Sequence, residues 1–299
     1  MIRDAGSFRD PSGYIIYEDD EIIRVINYTY KENFDHFINS GFYKFLIKDQ
    51  LIVSHKISNQ KKYSDDQYLT ICPEKIFPIT YPYEWSFSQL KDAALLKLNI
   101  QKKAVEFNMS LKDASPYNVQ FKDNSPIFID TLSFEKISNS DYTWKPYKQF
   151  NEMFLAPLSL MSMQDARLSK LSINFIDGIP LSLLNKLLSF RNKLNPSIFL
   201  NVVIPHMISN WSKSKSKKEI TISKKQHLNI IDQLISFIKN LKLLNENSEW
   251  ENYNIETNIE KINYVKHKEK IVSSLLKKEE LKLSWDIGSN DGHYSRIIA

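Results

Sequence analysis

The sequence predicts an α+β chain with a β-rich front, a helical middle and a closing strand–loop–helix unit of the α/β type. Three observations predict it. β-branched and aromatic runs crowd residues 13–26, apolar residues take helical spacing from Ser86 onward, and Gly288 and Gly292 follow an apolar run that ends at Asp286. With 299 residues, 42% hydrophobic and 25% charged, the chain can bury a sizeable core, which excludes wholesale disorder.

Composition excludes further classes. The single cysteine, Cys72, cannot form an internal disulfide and fits a reducing compartment. Met1-Ile2-Arg3-Asp4 is charged at once with no apolar stretch behind it, so no secretory leader and a cytoplasmic location are expected. The most apolar stretch, Ile198–Ile208, is interrupted by Asn201, Pro205 and His206 and falls short of the ~20 residues of a membrane span. Forty Lys and Arg against thirty-five Asp and Glu leave +5, spread along the chain without the clustered basic face of a nucleic-acid binder. Only six residues are glycine, so each one is a candidate for a place where no side chain fits.

In chain order, Asp10-Pro11-Ser12-Gly13 is turn chemistry, and Gly13–Glu18 and Glu21–Ile26 read as a hairpin joined by Asp19-Asp20. Phe34, Phe37, Ile38, Phe42, Phe45 and Leu46 predict one helix over 31–49. Strands are expected at Leu51–Val53 and Tyr68–Ile71, then an extended link at Ile79–Tyr83. Ser86 with Gln89 forms a capping box that opens a long helix. Met109–Asn118 reads as loop, and Val119–Phe121 with Pro126–Asp130 as a second hairpin. Residues 146–210 read as largely helical with breaks at Pro157, Gly178-Ile179-Pro180 and Pro196. Ser212–Lys218 alternates Ser and Lys as a solvated linker does. Leu228–Leu244 and Tyr264–Glu279 are amphipathic helices, and Leu281–Ile287 reads as a strand. The predicted division is 1–83, 84–211, a linker at 212–226, and 227–299.

Lys112-Asp113-Ala114-Ser115-Pro116-Tyr117-Asn118, followed by a hairpin that ends at Asp130, resembles the phosphotransfer core of kinase-like folds. A hydroxyl that attacks a phosphate needs a carboxylate to take its proton, and a triphosphate needs Mg²⁺ held by oxygen ligands. The resemblance implies Asp113 as base and Asn118 and Asp130 as metal ligands. It makes 1–83 a small β-rich lobe with a hinge and 84–211 a helical lobe, with the Asp10–Gly13 turn over the phosphates of ATP. The pattern departs from the family's in three ways. No G-x-G-x-x-G occurs there, Leu111-Lys112 precedes the aspartate, and Arg24 stands where the strand lysine belongs, although an arginine is not a lysine's equivalent. Read without the resemblance, Asp113 and Asp130 cap turns.

The run from Leu281 to Asp286, then Gly288 and Gly292, looks like the first motif of class I S-adenosylmethionine (SAM)-dependent methyltransferases. There, glycines let the backbone approach the cofactor and an acidic residue lies near its ammonium group. Asp286, Gly288 and Gly292 match, whereas Asn290 replaces a glycine common in that motif. Without the resemblance, Asn290-Asp291-Gly292 is a hairpin turn.

Phe8–Gly13, Tyr81–Phe87, Leu111–Phe121 and Ile129–Glu135 are similar to a bacterial family whose members carry such a front and then a SAM-dependent methyltransferase domain. Some members are labelled nodulation-protein-like. Gln149-Phe150, Leu155–Leu158 and Asp177–Leu181 extend the likeness. The resemblance implies a chain that stops at the opening of an incomplete Rossmann-like domain and does not methylate by itself. The alternatives are an ATP- and Mg-dependent phosphotransferase acting on a small molecule or glycan, a nucleotide-binding pseudokinase, or a non-catalytic scaffold. The lone histidines, His206 and His293 among them, show no metal-ligand spacing.

Overall fold

A computed structural model describes residues 2–8, 10–58, 61–138, 140–205, 221–244, 259–277, 284–289 and 292–299. The front is a five-stranded antiparallel sheet in the order β1-β2-β3-β5-β4. It comprises β1 (Ile2–Arg3), β2 (Gly13–Glu18), β3 (Glu21–Asn27), β4 (His55–Ile57) and β5 (Gln67–Pro73). The β2–β3 hairpin turns at Asp19 and Asp20, both in the left-handed region at φ 48° and 61°, a conformation that aspartate tolerates better than most residues. Its register pairs Gly13 with Ile26 and Glu18 with Glu21. A Cβ on Gly13 would stand 2.1 Å from the Val25 carbonyl oxygen, so only glycine lets the strands close there.

The helix expected over 31–49 is two helices, α1 (Lys31–Asn39) and α2 (Phe42–Lys48). The chain turns between them at Gly41, whose φ is +82°. Periodicity read straight through because the apolar positions on both sides face one core. Leu51–Val53 does not join the sheet. Ile52 makes a parallel bridge to Phe128, and the Val53 N–H donates to the Phe128 carbonyl at 2.8 Å. The sheet takes His55–Ile57 instead.

Helix α3 (Phe87–Glu106) starts at its expected cap, where Ser86 Oγ accepts from the Gln89 N–H at 3.2 Å and Gln89 Oε1 from the Ser86 N–H at 2.9 Å. Its inner stripe, including Leu90, Ala93, Ala94, Leu98 and Ala104, is buried in the main core. Met109–Leu111, expected as loop, is strand β6 and pairs with β9 (Phe134–Lys136). A three-residue strand whose partner lies more than twenty residues on leaves no local signal. Strands β7 (Val119–Lys122) and β8 (Ser125–Phe128) form the second hairpin. Phe134 stacks on Phe37 at 4.8 Å and meets Phe42 and Phe128 edge-on at 5.3 and 5.6 Å. These rings join α1, α2, β8 and β9 in one aromatic cluster.

Beyond β9 the elements among the described residues are helical, with a π-helical turn at Asn151–Leu155 leading into α4 (Ala156–Met163), then α5 (Leu181–Leu187) and α6 (Lys224–Asn240). Pro157 does not break the helix, because it occupies the first turn of α4, where no N–H is needed. The compact units are Met1–Leu244 and Asn245–Ala299, whereas the sequence places a division at 212–226. Helix α6, placed by sequence with the connector, packs on α3 with Lys102 and Asp232 at 2.6 Å and Lys91 Nζ donating to the Lys239 carbonyl at 2.8 Å. The Lys/Ser-rich segment 212–218 lies outside the described residues. The second unit contains α7 (Ile259–Leu276) and α8 (His293–Ile298). Ser284–Asp286 is not in a strand, and Leu281–Leu283 lie outside the described residues. Among the described residues no helix is long and apolar enough to cross a membrane.

His55 stacks on Tyr43 at 4.3 Å, and its buried Nδ1 has no hydrogen-bond partner among the described residues. Burial lowers its pKa to about 4, and burial also lowers that of His227. The unfolded chain therefore takes up protons below about pH 6.5 that the folded chain refuses, so stability falls as pH drops from about 6.5 toward 4. Urea unfolding of wild type and H55F at pH 7.5 and 5 should show a smaller pH penalty in H55F. Equal penalties in the two proteins count against a neutral buried His55.

Candidate functional site

The structure brings four sequence-predicted residues together: Arg24, Asp113, Asn118 and Asp130. The loop after β6 carries Asp113, and the 3₁₀ turn Pro116–Asn118 carries Asn118. Asp130 follows β8. Two backbone bonds hold these segments side by side, from the Lys112 N–H to the Ser133 carbonyl at 2.8 Å and from the Ile129 N–H to the Asn118 carbonyl at 2.9 Å.

The side chains form a chain of hydrogen bonds. Asp113 Oδ1 accepts from the Ser115 N–H at 2.7 Å, and Oδ2 from Asn118 Nδ2 at 2.7 Å. Asn118 Nδ2 also reaches Ser133 Oγ at 3.4 Å, and Ser133 Oγ donates to Asp130 Oδ2. Asp130 Oδ1 accepts from the Leu132 N–H at 3.1 Å and lies 2.5 Å from Arg24 Nη1. Burial pushes the Asp130 pKa up, but Arg24, Ser133, the Leu132 N–H and Lys97 outweigh it and leave the carboxyl below its ordinary value.

Arg24, expected at a phosphate, is therefore on Asp130. Both Asp130 oxygens are engaged by protein donors, and Asn118 turns its Nδ2 toward Asp113 and Ser133. Among the described residues no group of three His, Cys, Asp or Glu side chains could hold a metal ion. As arranged, the positive charge beside Asp130 is the Arg24 guanidinium.

The Asp10–Gly13 turn covers this cluster. Lys112 Nζ donates to Ser12 Oγ at 2.8 Å and lies 3.6 Å from Asp10, while a Cβ on Gly13 would stand 3.0 Å from Leu132 Cδ1. Sequence reasoning missed Lys97. It projects from the inner stripe of α3, is 0% exposed, and donates from Nζ to the Asp113 carbonyl at 3.1 Å. Burial lowers its pKa to about 8 against the opposing pull of Asp113 and Asp130. A lysine three and four residues from Ala94 and Ala93, on the buried side of a helix, was the signal available.

In the second unit, Gly288 and Gly292 adopt the left-handed region at φ +77° and +74°, as a glycine loop requires. Asp286 Oδ2 accepts from Ser295 Oγ at 2.7 Å, and His293 Nε2 lies 2.7 Å from Glu269. Asn290 and Asp291 lie outside the described residues.

No family model matches the chain. Along 99% of its length it is 29% identical, over 305 aligned positions, to nodulation protein NoeA of Rhizobium meliloti (strain 1021). That likeness supports a nodulation-protein-like family. The chain spans 63% of that protein's length.

Asn118→Ala removes the donor to Asp113 Oδ2 and leaves a half-buried carboxylate oxygen unpaired. Urea unfolding should show a loss of roughly 1.5–3 kcal/mol, the range for hydrogen bonds to charged groups. A loss within 0.5 kcal/mol of zero means that the bond does not organise the loop.

Proposed function

We propose that the chain belongs to a SAM-dependent methyltransferase protein and that residues 1–244 are its kinase-like, nucleotide-binding module. The observation that carries the module is the Asp113–Asn118–Ser133–Asp130 hydrogen-bond chain. It follows a five-stranded sheet with a helix pair, a link at 79–83 and a long helix, and a hairpin lies between Asn118 and Asp130, which is the order of parts in a kinase-like fold. Because Arg24 holds Asp130, the module is of the pseudokinase type: it binds a nucleotide and does not transfer its phosphate. A regulatory or substrate-recognition role for the methyltransferase follows.

The methyltransferase half is supported by the Asp286–Gly288–Gly292 loop, with both glycines left-handed and a helix after them. Ile287, 92% exposed, is an apolar side chain that a Rossmann-like sheet would bury. SAM is the cofactor that the motif implies, with Asp286 placed near its ammonium group. A second reading, phosphotransfer to a small hydroxylated molecule or glycan, is favoured by the half-buried Asp113 carboxylate on the loop. It requires Arg24 to leave Asp130.

Thermal unfolding of the chain with ATP, with ATP plus Mg²⁺ and with SAM separates these readings. A ligand at about a hundred times its Kd adds about 2.7 kcal/mol, several degrees of melting temperature. ATP should raise the melting point without Mg²⁺, and Mg²⁺ should add nothing. No response to ATP sinks the nucleotide-binding module, and a rise that appears only with Mg²⁺ supports the phosphotransferase. For the methyltransferase half, the reading frame beyond Ala299 should encode a further strand that ends in an acidic residue; without one, that half fails.

A further inference from the structure

Lys97 occupies a position where an apolar residue would be the ordinary choice. Ala93, Ala94 and Leu98 beside it on α3 are each 0% exposed, as Lys97 is. A fully buried ammonium loses several kcal/mol of hydration, and its three N–H donors find a single hydrogen-bond acceptor among the described residues, the Asp113 carbonyl at 3.1 Å. Its remaining support is the face of Phe128, 4.2 Å from Nζ to the ring centroid, together with the attraction of the Asp113 and Asp130 carboxylates.

The carbonyl that Lys97 holds belongs to the Asp113–Ala114 peptide unit. The N–H of that same unit, on Ala114, donates to Gln149 Oε1 at 2.8 Å. One peptide plane is thus gripped from both sides, by a side chain of α3 and by one from the helical turn Tyr147–Phe150. With the plane fixed, the Asp113 side chain is set to accept from Ser115 and Asn118. Phe128, under the ammonium, is two residues before Asp130.

We infer that Lys97 is the positioning residue of the cleft: it clamps the Asp113–Ala114 peptide from beneath and brings an ammonium group to the Asp113 and Asp130 side of the cleft. The inference rests on the proposed nucleotide-binding module for what the positioned loop does, whereas the clamp itself is a property of the folded chain. Lys97 touches no ligand in this scheme. It acts through Asp113, as a buried cation that needs no exchange with solvent.

The test uses the full chain as wild type, K97M and K97A. Methionine keeps the volume and removes the charge; alanine leaves a space matching propylamine. In K97M, amide hydrogen exchange at Ala114 and Ser115 should quicken tenfold or more while the α6 amide of Leu234, in the main core, exchanges as in wild type. ATP affinity should fall tenfold or more. In K97A, propylammonium should slow exchange at Ala114 again, and 1-propanol, its uncharged counterpart, should not. Unchanged exchange at Ala114 in K97M overturns the inference. So does equal quickening at Ala114 and Leu234, which marks mere loss of stability, or rescue of K97A by propanol as fully as by propylammonium. A wild-type chain that ignores ATP removes the nucleotide-binding reading alone, because the exchange comparison still decides for or against the clamp.

Discussion

The cleft is organised around a largely buried carboxylate, that of Asp130, whose side chain is 16% exposed. Asp130 cannot stay ionised in that position without positive charge and donors nearby. The chain supplies them from three directions: Arg24 from strand β3, Ser133 and the Leu132 N–H from its own turn, and Lys97 from helix α3. Since Arg24 stands on the sheet and Asp130 follows the β7–β8 hairpin, satisfying one charge also ties the front of the fold to its helical half. Lys112 and Ser12 make a second tie, and Tyr30, whose hydroxyl donates to the Phe134 carbonyl, makes a third.

This arrangement bears on chemistry. A phosphotransfer site presents carboxylate oxygens to a mobile divalent cation. Here the Asp130 oxygens face the Arg24 guanidinium, the Ser133 hydroxyl and the Leu132 N–H. The aromatic cluster around Phe134 explains how so polar a cleft keeps its shape. Phe37, Phe42 and Phe128 surround that ring, and β9, which carries it, lies directly after the Asp130 turn.

Local chemistry was legible in the sequence, and long-range pairing was not. The Ser86–Gln89 capping box and the β2–β3 and β7–β8 hairpins follow from side-chain types at short spacing, whereas the gathering of Asp113, Asn118 and Asp130 was implied by the resemblance to kinase-like folds. The break at Gly41 was hidden because α1 and α2 face the same core. The β6–β9 pairing and the bridge from Ile52 to Phe128 join distant segments, and nothing in three residues of either announces the other. The packing of helix α6 on α3 was hidden because a biased Lys/Ser segment precedes α6 in the sequence. Arg24 was found by its place on the strand, and its pairing with Asp130 was not foreseen: a motif names the residues that gather and leaves open which of them neutralise one another. Lys97 escaped because a charged residue on a buried stripe reads as a lapse in the pattern rather than as part of a site.

The central claim is that the Asp130 charge is balanced from within by Arg24. A double-mutant cycle with Arg24→Met and Asp130→Asn, read by urea unfolding at pH 7, measures this most directly. The account predicts that each single change destabilises the chain and that the double variant recovers roughly 3 kcal/mol of the summed loss, the scale of an uncompensated buried charge. Losses that add to within about 0.5 kcal/mol, as they do for independent sites, would contradict it.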